Sequence, residues 1–175
     1  MTRPTVLFLG PCRKLNSRTG EAYPPFAEEA RSGKFLRKCI RELGIDAVAE
    51  VDFDNILPGC AIDSSGKEYN PSWNVLLNAL DKHKIWGLTR GSVLVALSEP
   101  VCRALTIAQQ TRSNSGVESN FEVVCSVHPS YVMRRPAAER IKHLDHLRTS
   151  IFQLLRPHQE LFDAALTITE NNVNI

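Results

Sequence analysis

Short apolar runs, each closed by turn residues, alternate along this chain with stretches whose hydrophobic spacing is helical. Thr5-Val6-Leu7-Phe8-Leu9 ends at Gly10-Pro11, and the run from Ala47 to Leu57 ends at Pro58-Gly59. Ser92–Leu97 and Phe121–Val127 complete the set. Continuous runs this short predict strands buried on both faces. Between them, Phe35, Leu36, Cys39, Ile40 and Leu43 fall on one face of a helix over Glu28–Leu43, stopped by Gly44. Val75, Leu76, Ala79 and Leu80 mark a second helix, capped by Ser72 and running to about His83. Glu99-Pro100 opens a third that reaches about Gln110, and Ala137–Leu155 forms a fourth carrying several basic residues. This alternation predicts an α/β fold, a three-layer α/β/α sandwich around a central four-stranded, mostly parallel sheet.

The polar stretches set the boundaries. Cys12–Pro25 reads as a long loop, and long loops in compact domains are usually functional or mobile. Ala61–Pro71 is a second loop, turning at Ser64-Ser65-Gly66-Lys67, and Thr111–Ser119 is a polar turn. No internal repeat is present. With 175 residues the chain suits one domain, placed at 1–166, followed by a loose polar tail at 167–175. That length buries a full core without disulfide or metal staples.

Composition narrows the class only a little further. Nine Gly and ten Pro, scattered among aliphatic runs, exclude collagen-like and low-complexity chains. A net charge of +2 does not by itself identify a nucleic-acid binder, though it allows a local basic face. The five cysteines are odd in number and contain no C-x-x-C pair. They read as buried free thiols rather than a disulfide framework. The N-terminus leads into a strand without a long apolar segment, and no stretch approaches the roughly 20 apolar residues of a membrane span. A reduced cytoplasmic monomer with no membrane association is expected.

In parallel α/β sheets the ligand crevice lies beyond the carboxyl ends of the strands. The residues to interrogate are therefore Gly10–Arg13, Asn55, Ser98 and His128. The first strand ends in Gly10-Pro11 and its loop reaches Tyr23-Pro24-Pro25-Phe26, then Ser32-Gly33-Lys34-Phe35-Leu36. The second ends in Asp54-Asn55-Ile56-Leu57-Pro58, the third in Leu97-Ser98, and the fourth in His128-Pro129-Ser130-Tyr131-Val132-Met133-Arg134-Arg135. In order and spacing these segments, over roughly residues 5–155, resemble the uracil-DNA glycosylase superfamily, nearest its thermophilic bacterial and archaeal branch.

The resemblance implies an enzyme that flips a base out of DNA and hydrolyses its N-glycosidic bond, leaving an abasic site. That reaction develops positive charge on the sugar and negative charge on the departing base, so the site needs a donor to the base and a slot for it. By resemblance His128 is the donor, Asn55 reads the base edge with its planar amide, and Phe26 is the ring on which the base stacks. Gly10 and Pro11 shape the strand-end loop so that backbone amides face the base. Ser130, Arg134 and Arg135 neutralise phosphates, with Arg13 and Ser98 on the same rim, while Tyr131, Val132 or Met133 wedges into the stack.

Two departures stand out. The stretch Gly10-Pro11-Cys12-Arg13-Lys14 has no carboxylate or amide before Asn16, where the superfamily often carries the group that orients water. Asn16 and Glu21 are the nearest candidates for that role, with Glu28, Asp52, Asp54 and Asp63 as alternatives. The closely spaced cysteine pair that helps hold an iron–sulfur cluster in the thermophilic-type branch is also missing, so no cluster, catalytic metal or other cofactor is expected. Three other readings stay open: a pocket specialised for a bulky modified base, as in viral DNA with a defence role; an inactive DNA-binding module; and a small-molecule nucleoside hydrolase.

Overall fold

The first strand runs further than its hydrophobic residues alone indicate. In the computed structural model, which describes residues 3–173 (side chains through Pro157 and at Glu160), β1 spans Thr5–Cys12 and takes in Gly10 and Pro11. It is followed by α1 (Arg31–Glu42), α2 (Ile45–Val48), β2 (Glu50–Leu57), β3 (Ala61–Ile62), β4 (Glu68–Tyr69), α3 (Trp73–Leu80) and a 3-10 turn at Lys84–Gly87. Then come β5 (Ser92–Leu97), α4 (Glu99–Asn114), β6 (Phe121–Ser126), α5 (Pro129–Met133) and α6 (Ala137–Val173).

Four strands form one parallel sheet in the order β2-β1-β5-β6. Strand periodicity then sorts the side chains. Val6, Phe8, Val93, Val95 and Leu97 pack with Leu36 and Ile40 of α1, Ile45 of α2, and Leu147, Ile151 and Leu155 of α6. Leu7, Leu9, Leu94 and Ala96 face the other way, onto Leu76 and Leu80 of α3 and Val101, Ala104 and Leu105 of α4. The three-layer α/β/α sandwich is thus the observed fold. The chain adds β2 on one side of β1 and then crosses to add β5 on the other. The crevice of an open α/β sheet opens at such a reversal, beyond the carboxyl ends of β1 and β5.

Local differences from the sequence reading have local causes. The expected strand from Ala47 starts only at Glu50, because Gly44, at φ 73°, lets the chain enter the short helix that buries Ile45. The expected helix from Glu28 starts at Arg31, because Pro24–Ala30 is wound into turns through Ala27 N–H to Pro24 O and Ala30 N–H to Ala27 O. Ser72 does sit at the N-cap of α3, but its hydroxyl engages the Asn74 side chain instead of a backbone amide, and the helix stops at Leu80. The loop at 61–71 holds a small antiparallel hairpin, β3 with β4. The expected tail from Thr167 continues α6 through Val173, and residues 174–175 lie outside the described residues.

The cysteines differ most from expectation. Cys12 is joined to Cys60 and Cys102 to Cys125, with Cα atoms 5.0 and 5.5 Å apart, inside the range disulfides require. Cys125 is exposed on the edge strand rather than buried. Among the described residues only Cys39 is a free, buried thiol, and burial chiefly, with Glu42 second, pushes its pKa up to about 11. Partners 48 and 23 positions apart meet only once β2 lies against β1 and α4 against β6. Disulfides of this kind persist in oxidising surroundings, so the cysteines no longer argue for a reduced compartment. No described helix is long and apolar enough to cross a membrane.

Candidate functional site

Gly10 and Asn55 are register partners at the carboxyl ends of β1 and β2. Gly10 is glycine for a steric reason: a Cβ there would collide with Asn55 Oδ1 and lie 2.8 Å from Phe26 Cζ. The Phe26 ring, supplied by the loop before α1, is 6.0 Å from the His128 imidazole, centroid to centroid. Four residues from four segments are thereby gathered at one point of the sheet edge. Gly10→Ala is expected to cost about 1–3 kcal/mol, because the buried Phe26 ring cannot yield without disturbing the core. The check is the urea midpoint at unchanged m.

His128 is the N-cap of α5, and this fixes its chemistry. Its Nδ1 accepts the Ser130 backbone N–H at 3.2 Å and lies 2.8 Å from Ser130 Oγ. In the neutral ring the proton therefore resides on Nε2. Burial, followed by the charges of Lys14 and Arg134, lowers the pKa from the ordinary 6.5 to about 4. At neutral pH His128 is thus an uncharged hydrogen-bond donor through Nε2.

Asn55 is only 9% exposed, yet its hydrogen bonds among the described residues run through its main chain. Its N–H donates to Asp54 Oδ1 at 2.9 Å, and its carbonyl accepts from His83 Nε2 at 3.3 Å. The side-chain amide has no hydrogen-bond partner among the described residues and keeps contact with solvent, so it is free to pair with a ligand. His83 was not legible as a site residue. Its Nδ1 accepts the Ile85 N–H, which leaves the Nε2 proton for Asn55 O, and Nε2 also lies 3.4 Å from Asp54 Oδ2. Nothing in the spacing of positions 55 and 83 announces that contact.

Beside this cluster opens a cleft of about 400 Å³, lined by Pro11, Lys14, Asn70, Ser98, His128, Ser130, Tyr131 and Arg134. Its volume falls in the roughly 300–1,000 Å³ range usual for ligand pockets. A second cleft of about 280 Å³, between Arg31, Ser32 and Met133, shares Ser130 and Arg134 with it. A larger hollow of about 660 Å³ lies along α6, around Val48, Arg148 and Phe152, and involves none of these residues.

Other expected site residues are placed differently. Arg13 does not reach outward: its Nε donates to Tyr23 O at 2.6 Å and its NH2 nitrogen to Ala22 O at 3.1 Å, closing its own loop. Arg135 lies over the Tyr131 ring, 4.6 Å from the centroid, with its Nε buried and without a partner. Asn16 Oδ1 is taken by the Arg18 N–H in a turn, and Glu21 is exposed in the same small loop, where Leu15 bridges Ala22. No contact links either to the cluster. Asp54 Oδ2 is buried 3.4 Å from both His83 Nε2 and Lys84 Nζ without a hydrogen bond, while Glu68 accepts the Leu15 N–H and sits 3.6 Å from Lys14. Ser98 caps α4 through the Val101 N–H. Among the described residues no three His, Cys, Asp or Glu side chains gather as a metal ion requires. Compared with models of known protein families and with curated protein sequences, the chain matches none.

Proposed function

We propose that this protein is a monofunctional DNA N-glycosylase of the uracil-DNA glycosylase type, which takes a base out of the stack and hydrolyses its bond to the sugar. The observation that carries this reading is the neutral His128, its Nε2 proton available, packed against Phe26, whose ring in turn lies on Gly10 beside Asn55, with the imidazole lining a cleft. As the C1′–N bond breaks, its electron pair stays with the base. Nε2–H then donates to the base's carbonyl oxygen, where the charge gathers, without first losing solvation. The Asn55 amide offers one donor and one acceptor to the base edge. Phe26 provides a wall for stacking, and water supplies the oxygen that ends on C1′. Lys14 and Arg134 at the cleft rim suit flanking phosphates.

The test is incubation with oligonucleotides containing uracil or bulkier modified bases, single- and double-stranded, followed by alkali. Strand breaks at the modified position support the reading, and intact strands with every base refute it. One observation favours a second reading, a DNA-binding module without catalysis: among the described contacts no carboxylate touches His128 or Phe26, and Asp54, which accepts the Asn55 main-chain N–H, lies against His83 and Lys84 with its other oxygen. That reading predicts salt-dependent DNA binding with no abasic product.

A further inference from the structure

Phe26 is the one non-glycine residue with a positive φ among those described, at 47°. A side chain in this left-handed region crowds its own carbonyl, so the conformation persists only where the surroundings enforce it. Two neighbours enforce it here. Gly33, in the first turn of α1, has no room for a Cβ, which would lie 2.6 Å from Phe26 O, so the Phe26–Ala27 peptide sits directly on the helix. One turn further along, Arg37 Nε donates to that same carbonyl at 2.8 Å. The Arg37 guanidinium carbon also lies 4.1 Å from the Phe53 ring centroid, and Phe53 in turn packs against Phe26 at 6.2 Å. A charged donor on a strained carbonyl, itself seated on an aromatic face, is a strong and directional restraint.

The geometry points to Arg37 as a positioning residue. It holds the Phe26 main chain in the left-handed state that turns the ring towards Gly10 and His128, and so sets from a distance the surface against which the imidazole packs. Arg37 itself lines neither cleft beside His128. Without its Nε–H the peptide is expected to relax to negative φ, which swings the ring away from His128. The kinetic part of this inference rests on the glycosylase reading; the conformational part does not.

Two isosteric substitutions separate the donor from the charge. Arg37→Gln places an amide N–H where Nε was and removes the cation, whereas Arg37→Met removes both. Arg37→Lys keeps a cation but takes the donor off the carbonyl, and provides the same contrast should the Met variant not fold. With 4-fluorophenylalanine at position 26 of the full chain, ¹⁹F NMR is expected to give one shielded resonance with a small H₂O/D₂O shift in wild type and Arg37→Gln. In Arg37→Met and Arg37→Lys it moves towards the free amino acid and its solvent isotope shift grows. Single-turnover cleavage of a modified-base oligonucleotide then falls about tenfold in Met and Lys, with DNA affinity unchanged, and recovers in Gln. A resonance that stays in place in both Met and Lys overturns the inference. A resonance that moves, in a protein whose wild type releases no base from any oligonucleotide, upholds Arg37 as the restraint on Phe26 and refutes the glycosylase reading alone.

Discussion

Replacing His128 with alanine is expected to lower the single-turnover rate of base release by ~10²–10³-fold, the usual effect of losing one preorganised donor to a developing anion. Affinity for DNA changes little, because Lys14 and Arg134 on the cleft rim stay in place. His128→Asn, which keeps a short donor at the N-cap, should recover part of the rate but not all of it. A rate equal to wild type in His128→Ala would remove the histidine from the reaction.

The same residue predicts a pH signature. In the unfolded chain its imidazole titrates near the ordinary 6.5, whereas burial, then Lys14 and Arg134, hold it at about 4 in the folded protein. Between those two values the unfolded state binds a proton that the folded state does not, so stability falls as pH falls. The contribution is complete above 6.5, erodes towards 4, and is constant below. Its full size is on the order of 3 kcal/mol, one pKa unit being about 1.4 kcal/mol. Urea unfolding of wild type and His128→Gln across this window measures it: the variant should lack this part of the slope. Catalysis that depends on a neutral donor should likewise show no inflection near 6.5, and a bell centred there would contradict a neutral His128.

Asn55→Ala carries the second large effect. The amide sits near a strand end without a side-chain partner among the described residues, so a ligand that satisfies both its donor and its acceptor is favoured over one that satisfies neither. Removing it should cut kcat/KM for the preferred base by ~10²-fold or more and narrow the gap between that base and its competitors. Stability should change by less than in Gly10→Ala, since the amide holds no neighbour through its side chain. A panel of oligonucleotides differing only in the target base measures this. Equal loss for every base would mean that Asn55 supports the fold of the pocket rather than reading its occupant.

Much of the architecture was legible before any coordinates. Ser92–Leu97 was bounded to the residue, because Val93–Leu97 is an unbroken apolar run set between Ser92 and Ser98. The helices around Leu36 and Leu76 followed from the spacing of their apolar positions, and the one around Val101 from Glu99-Pro100 at its start. Ala47 and Val48 were assigned to the strand but close the short helix Ile45–Val48, since so few residues carry no periodicity and a left-handed glycine decides the matter. In the candidate site, Gly10, Asn55 and His128 were singled out because each lies within two residues of a strand's carboxyl end, which is a position in sequence as well as in space. Phe26, from a loop, was carried by resemblance alone.

The order of apolar and polar residues determined the layers, the parallel sheet and the edge at which polar strand ends collect, because burial acts on each segment through its own periodicity. Particular encounters were decided only by the tertiary structure: Cys12 with Cys60 and His83 with the Asn55 carbonyl across the chain, and Arg37 with the Phe26 carbonyl and Arg13 with its own loop nearer in sequence. The first two depend on which strand lies beside which, and the Arg37 contact on one backbone dihedral angle, that of Phe26. Local residue preferences encode neither; the packing of the whole sheet against its two helical layers settles both.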